Sequence, residues 1–535
     1  MIKKINIIFI LLIITKMILS FSVLPVLGFA DSLNYINEAK AFHDTNSLSE
    51  VAKAGIYPPI YSIIISPAFI FKDMEKVHFS IKVINAIISS SIIFPIFFLA
   101  NRFFSKKKSL IIATITALVP PIFAVSSYTM SENIFFPLFI TTLYIIYLTI
   151  KEKQQKLYIL SGILIGLCYL TRAISIFLIL VIIIIFLLNK TKIKNIITSI
   201  SASLITILPW IYTKIKIYGF SLQGILGNNY SSFAIQSQSN IIQKLIWVIF
   251  YTDYLILSTG IIFFILTISL ISNYKNINTK ILFQLTLLST IFSIILASNL
   301  SGAYPNYEEG RLIGRYIEPI IPMFILLGFI SLKKSKKITI FTLIFLNAIT
   351  PLILFNKFFP VNNMSLVSLG TLAYLSNSTI LIAIIIIVTT ILILKIKEYN
   401  FKKIAYFFII YFIIISLLNS TVIIYDSKFK WEAEEGIELG IWINDNLPKN
   451  NKILIDKDEP NKFTDKTEEK ITDLEKRSIH TLEYWIRFKY KIGPIEKYPY
   501  YEYIITKKDL PLKIIKEGKE GTKIYYNIEY SYNKY

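Results

Sequence analysis

Long apolar runs restrict this chain more than any other feature. The first, from Ile5 to Ala30, is nearly uncharged for some two dozen residues, and runs of the same kind recur to about residue 425. Lipid offers no partner to a backbone N–H or C=O, so runs of roughly 17–25 apolar residues are expected to cross a membrane as helices. About thirteen such spans are expected on that length criterion, centred near residues 15, 88, 118, 142, 164, 180, 205, 263, 290, 324, 346, 387 and 414. The opening run is longer than the roughly 7–15 residues of a signal-peptide core, and it is expected to be a retained first span.

The formal net charge of +22 could point to nucleic acid, but its distribution argues for a membrane. Seven alternate loops, from Lys3-Lys4 through Lys190-Lys192-Lys194 to Lys395 to Lys403, concentrate lysine and arginine, the mark of cytoplasmic loops. The opposite set then faces outward: Ala30 to Phe79, Gly219 to Trp247, Ser298 to Arg315, Asn356 to Asn377, and the tail after Tyr425. The predicted localisation is the cytoplasmic (plasma) membrane, with the N-terminus inside and the tail outside. Two outer segments read as short helices between residues 31 and 78. In Asp31 to Asp44, Asp31, Tyr35, Ala39 and Phe42 recur at helical spacing, and Pro58 to Phe71 is apolar, too short to span, and opened by a proline pair.

The tail changes character. WEAEEGIELGIWINDNLP reads as an amphipathic helix stopped by Pro448, and KILID, YEYIITK and TKIYYNIEY read as strands. The expected architecture is therefore a polytopic α-helical membrane domain, residues 1–425, followed by a small extracytoplasmic α/β domain, residues 426–535. Its lysines and glutamates are intermixed, so it is a solvated surface and not a nucleic-acid patch. The single cysteine, Cys168, forbids an intramolecular disulfide. His43, His78 and His480 have no metal-ligand spacing, and no glycine-rich phosphate loop is present to hold a nucleotide.

Polar groups at span ends are costly unless they are used, which singles out Asp31, Glu132, Arg172 and the loop YEEGRLIGRYIEPIIP with Arg311, Arg315 and Glu318. Each has a bland reading: Asp31 and Ser131-Glu132 as helix caps, Arg172 reaching to the interface, the loop arginines paired with neighbouring glutamates. Together they fit one reaction. A sugar on a lipid phosphate, attacked by an acceptor hydroxyl, needs one base for the hydroxyl proton and positive charge for the departing phosphate. A carboxylate at a helix N-terminus stays ionised, and arginine presents two parallel donors to a phosphate.

The ordered series ADSLNYINEA, YPPIYSIIISP, MSENIFFPLF, GILIGLCYLTRAISIFLIL and GRYIEPIIP, followed by an outer α/β tail, resembles the GT-C superfamily of membrane glycosyltransferases. The chain is most similar to the branch of protein O-mannosyltransferases, aminoarabinose transferases and lipopolysaccharide-core sugar transferases. The resemblance implies a polyprenyl-phosphate-linked sugar donor and a lipid, glycan or protein acceptor. It implies Asp31 as the catalytic acid-base position with Tyr35 beside it, and Arg315 and Tyr316 near the lipid phosphate with Arg311 or Arg172 assisting. Tyr57 would line the substrate pocket, and Glu132 would meet a metal or the acceptor. The chain departs from the family twice. Ser32 stands where a second acid often follows the first, so a two-carboxylate metal site is not supported there and any divalent metal is left open. Tyr57 replaces the lysine that precedes the double proline of aminoarabinose transferases, so that sugar specificity is not supported.

Two other classes predict different patterns. A transporter or lipid-linked sugar flippase would carry ionisable groups facing a path near the bilayer centre, whereas these span interiors read as almost wholly Ile, Leu and Phe. A non-catalytic envelope assembly subunit would leave the outer charges without a role.

Overall fold

The computed structural model describes residues 2–23, 31–71, 73–220, 241–260, 262–272, 276–301, 312–332, 401–429, 434–448, 452–456, 490–493, 495–519, 521–528 and 530. The chain is a polytopic helical membrane protein with a small C-terminal α/β region. Among the described residues seven helices are long and apolar enough to cross a membrane. The pair Lys106–Ala117 and Pro120–Ser127 is long and apolar enough only when taken together, as a broken span or a re-entrant loop, bent by 69° where Pro120-Pro121 interrupt the hydrogen-bond ladder. Shorter apolar helices at Gln155–Thr171, Ala173–Leu188 and Glu318–Ser331 match the spans expected near 164, 180 and 324. The spans expected near 346 and 387 lie outside the described residues.

Around residue 263 the structure differs from the expected single span. Ile241–Ser258 is one helix, starting inside the segment expected to be loop, and a second, Ile262–Ile268, follows. Gly260 separates them at φ 69°, a left-handed conformation that glycine adopts at no steric cost.

Labelled in chain order, α1 is Ile2–Ser22, α2 Asp31–Thr45, α3 Leu48–Ala54, α4 Ile60–Ile65 and α5 Met74–Ser90. The amphipathic α2 buries Ser32, Tyr35, Ile36, Glu38 and Ala39, one helical face, and packs against α4 and the 3₁₀ turn Ser66–Ile70 that continues it. Tyr35, Tyr61, Ile65, Val77, Tyr128 and Met130 form a cluster apart from the main core, and this cluster floors the site.

Two further helices bring distant residues to the same place: α6, Glu132–Glu152, starts at the site, and α7, Gln155–Thr171, ends there. The second is fixed by its fit to α8, Ile193–Tyr218. Gly162 and Gly166 lie against the Ser199 carbonyl and the Thr206 side chain, so closely that a Cβ at either would overlap them. Small residues spaced four apart allow this backbone approach in lipid.

In the tail, strands β1 (Ile453–Asp456), β2 (Tyr490–Gly493), β3 (Tyr503–Thr506), β4 (Lys513–Glu517) and β5 (Lys523–Tyr526) form a sheet of order β2-β1-β3-β5-β4. β1 runs parallel to both β2 and β3, while β5 is antiparallel to β3 and β4. The helix Glu434–Asn446 covers it through Leu439 and Ile443. The same helix turns Ile437 and Ile441 toward the cluster beneath α2, joining the tail to the face that carries the charged residues.

Candidate functional site

Asp31 is the first residue of α2, and its two carboxylate oxygens have different partners. Oδ1 accepts from the Tyr57 hydroxyl at 2.7 Å and Oδ2 accepts from the Arg315 guanidinium at 2.7 Å. Arg315 comes from the 3₁₀ turn Gly314–Tyr316, and its Nε lies 3.5 Å from Glu132 Oε1. Glu132, at the head of α6, is in turn ion-paired with Arg172, just past the end of α7. Acids and arginines thus alternate in a row, Asp31, Arg315, Glu132, Arg172, and their formal charges cancel.

Aromatic rings wall the row. The Arg172 guanidinium lies 5.4 Å from the Tyr316 ring centre and 5.9 Å from that of Phe135. Tyr35 stacks on Tyr57 with centroids 4.8 Å apart and donates to Ser131 Oγ at 2.9 Å. Asp31, Tyr35, Tyr57, Glu132, Arg172, Arg315 and Tyr316, all singled out in the sequence, therefore meet. Arg311 lies outside the described residues.

The two ends of the row differ in access. Asp31 and Arg315 keep 16% and 12% of their side chains exposed, against 3% and 6% for Glu132 and Arg172. The Asp31–Arg315 end is where a substrate can touch, and the Glu132–Arg172 pair stands behind it. Two bland readings also fail. The Ser131 side chain makes no cap bond to its helix and serves Tyr35 and Glu132 instead, and Arg172 does not reach for the interface but is buried against Glu132.

Burial by itself would raise the Asp31 carboxyl, but the Arg315 charge and the Tyr57 hydroxyl outweigh it and hold the group below its ordinary 3.8. The opposite holds for Tyr57: burial and then the Asp31 charge push its phenol well above its ordinary value, so it remains a hydrogen-bond donor. Arg315, penalised by burial, is kept charged by Asp31 and Glu132. Among the described residues, no group of three or more His, Cys, Asp or Glu side chains is arranged to hold a metal ion. Asp31 and Glu132 are each engaged by arginine, and Ser32 supplies no second carboxylate, so this donor set does not fit a divalent cation.

Sequence reasoning missed Glu38. It lies two turns after Asp31 on the same face of α2 and is fully buried, with Oε1 accepting from the Tyr57 N–H at 2.9 Å and Oε2 from Ser62 Oγ at 2.6 Å. Gly55 passes so close that any Cβ there would overlap the carboxyl group. The signal was available, since 31, 35 and 38 continue one helical stripe. The span interiors also hold more than aliphatic residues. Lys16 of α1 donates to Ser89 Oγ at 3.0 Å and the Ile122 carbonyl at 3.1 Å, and Lys82 of α5 donates to the carbonyls of Ser20 and Val23 at the end of α1 at 2.7 and 2.8 Å. Each lysine closes backbone or hydroxyl acceptors between helices.

Residues 57–212 match the model of the family described as dolichyl-phosphate-mannose-protein mannosyltransferase. This stretch includes Tyr57, Glu132 and Arg172 but neither Asp31 nor Arg315. The fold is similar to that of ArnT from Cupriavidus metallidurans in two crystal structures. With undecaprenyl phosphate bound, the TM-score is 0.64 at 11% identity over 98% of each chain. In the apo state it is 0.61 at 11% identity, over 97% of this chain and 98% of the other. No curated protein has a sequence that matches this chain.

Proposed function

We propose that this chain, which has the GT-C membrane-glycosyltransferase fold, transfers a sugar from a polyprenyl-phosphate donor to an acceptor hydroxyl at the outer face of the plasma membrane. Residues 1–425 would form the transferase domain, with its N-terminus inside, and residues 426–535 an outer domain positioned to receive the acceptor. The observation that carries the reading is the meeting, at the more open end of the row, of one ionised carboxylate and one arginine on the same edge.

The chemistry follows from that pairing. The acceptor oxygen attacks the anomeric carbon as its proton passes to Asp31, a glycosidic C–O bond forms, and the C–O bond to the phosphate breaks with its electron pair staying on phosphate oxygen. Phosphate is a weakly basic leaving group and needs no acid to protonate it, unlike the alkoxide expelled in glycoside hydrolysis. Arg315 takes the developing charge, because its planar guanidinium can leave one carboxylate edge for a phosphate edge without losing donors. Tyr57 orients Asp31, while Glu132, itself held by Arg172, supports Arg315 from behind. A single displacement inverts the anomeric centre. The fit between site and lipid phosphate is supported by the undecaprenyl phosphate bound to the structurally similar ArnT.

A flippase reading would use Lys16 and Lys82 as pathway charges, but both are spent on acceptors between helices. The deciding experiment supplies purified protein in membranes with radiolabelled polyprenyl-phosphate sugars and compares it with Asp31→Asn. Label passing to an acceptor or to water with the wild type, and lost in the variant while donor still binds, supports the reading. Equal movement of labelled lipid across the bilayer by both proteins, with no transfer, sinks it.

A further inference from the structure

The segment bearing Arg315 is not held by the residues around Asp31 alone. Helix α9, Ile241–Ser258, lines its other side with two tyrosines one turn apart. The Tyr251 hydroxyl accepts from the Ile313 N–H at 2.9 Å and shares a 2.8 Å hydrogen bond with Ser301, at the end of the helix Ile277–Ser301. The Tyr254 hydroxyl donates to Glu318 Oε1 at 2.5 Å, and its ring lies flush on Gly314, leaving no room there for a Cβ. The segment is therefore held on both sides of Arg315, at 313 and 314 through its backbone and at 318 through the Glu318 side chain. Leu312 and Ile317 between these points are fully buried.

We infer that Tyr251 and Tyr254 are positioning residues for Arg315: they set the register of the 312–318 segment so that the guanidinium reaches Asp31 and the phosphate it would serve. The physical case rests on reach. An arginine side chain is long and rotamer-rich, and binding through it wastes free energy unless its base is fixed. Holding the segment at two backbone positions and one neighbouring side chain removes that freedom. Gly314 is explained by the same contact, since its backbone needs the close approach and any side chain would push the segment off the tyrosine. The assignment rests on the proposed lipid-phosphate chemistry for its purpose, and on the contacts alone for its geometry.

The test uses the full-length protein in detergent micelles with undecaprenyl phosphate as probe, together with thermal melting. Tyr254→Phe keeps the ring against Gly314 and removes the hydroxyl. Glu318→Gln keeps the acceptor oxygen and serves as the conservative control. The expected result is lipid-phosphate binding weakened about tenfold in Tyr254→Phe, the worth of one buried hydrogen bond left unmade. Tyr254→Phe should stay folded with a small but measurable fall in melting temperature, and Glu318→Gln should bind nearly as wild type. Wild-type-like binding by Tyr254→Phe overturns the inference.

A double-mutant cycle on melting between Tyr254→Phe and Arg315→Gln separates this inference from the function it serves. If no variant binds the lipid, the function fails, and the cycle decides the positioning role alone. Non-additive melting shifts uphold that role, and additive ones refute it.

Discussion

Glu38 is a carboxyl buried two turns along the helix that begins at Asp31, and burial pushes it up from the ordinary 4.5 to about 8. It is thus protonated at neutral pH in the folded protein and ionised in the unfolded chain. The folded state then binds the extra proton, so stability falls as pH rises above the unfolded value and levels off above the folded one. The slope is about 1.4 kcal/mol per pH unit, which amounts to roughly 3 kcal/mol at pH 7 and roughly 5 kcal/mol above pH 8. Glu38→Gln removes the titration while keeping an acceptor for the Tyr57 N–H and a polar partner for Ser62. The melting temperature of Glu38→Gln minus that of wild type should therefore be smallest near pH 5, grow steadily to about pH 8, and stay constant beyond. Taking the difference cancels the titrating groups that do not feel Glu38, leaving Lys214, whose charge it faces, as a coupled partner. A flat difference across this range, or one that grows as pH falls, would refute the argument that Glu38 is buried as the neutral acid.

Other outcomes follow from the same contacts. Arg315→Gln removes the charge that holds Asp31 low, so the acid limb of transferase activity, set by protonation of the base, should move to higher pH in kcat/KM profiles. The part of Asp31's stabilising contribution that is present above its ordinary pKa and lost on acidification should shrink in the same variant. Asp31→Asn should cut turnover by about 10²–10⁴-fold, the span typical for removal of a general base, with donor binding measured separately and retained. Gly55→Ala should destabilise by about 1–3 kcal/mol, seen as a lower melting temperature, because the new methyl group lands on a Glu38 carboxyl pinned from both sides. Gly166→Leu should separate α7 from α8 and release Arg172 from Glu132, lowering melting temperature and activity together.

Much of the arrangement was legible because lipid makes the code simple. Apolar length marks helices, and a charge left at a helix end is costly unless paired, which is how Asp31, Glu132, Arg172 and Arg315 group in the sequence itself. The roles within the group were not legible. The resemblance offered Glu132 to a metal or the acceptor and Arg172 to the substrate phosphate or to a structural role; the structure pairs the two in the more buried half of the row, and that pairing depends on how α7 docks on α8. Glu38 was hidden by its bland setting in a polar surface helix. Lys16 was hidden in a run read as nearly uncharged and given no role. The strand β4, KIIKE, was missed because it lies at a sheet edge, exposed and with a register shift between Ile514 and Lys516, so it lacks the continuous buried apolar run of KILID. Tyr251 and Tyr254 read as ordinary aromatic residues of a span, and only the fold puts Gly314 against one of them.

The alternating row has a consequence for turnover. In the proposed transfer Asp31 gains a proton as the phosphate gains a negative charge, so the site's total charge is the same before and after reaction. Its distribution is not. Arg315 loses its carboxylate partner at the moment a doubly charged phosphate forms beside it, and the arginine should close on the product more firmly than it held the donor. Chemistry then arms a trap that only loss of the Asp31 proton can spring. Re-ionised, Asp31 competes for the arginine again and loosens the spent lipid. In that scheme a proton leaving for water would time lipid release, and the resting Asp31–Arg315 ion pair would be the ejector that clears the site for the next donor.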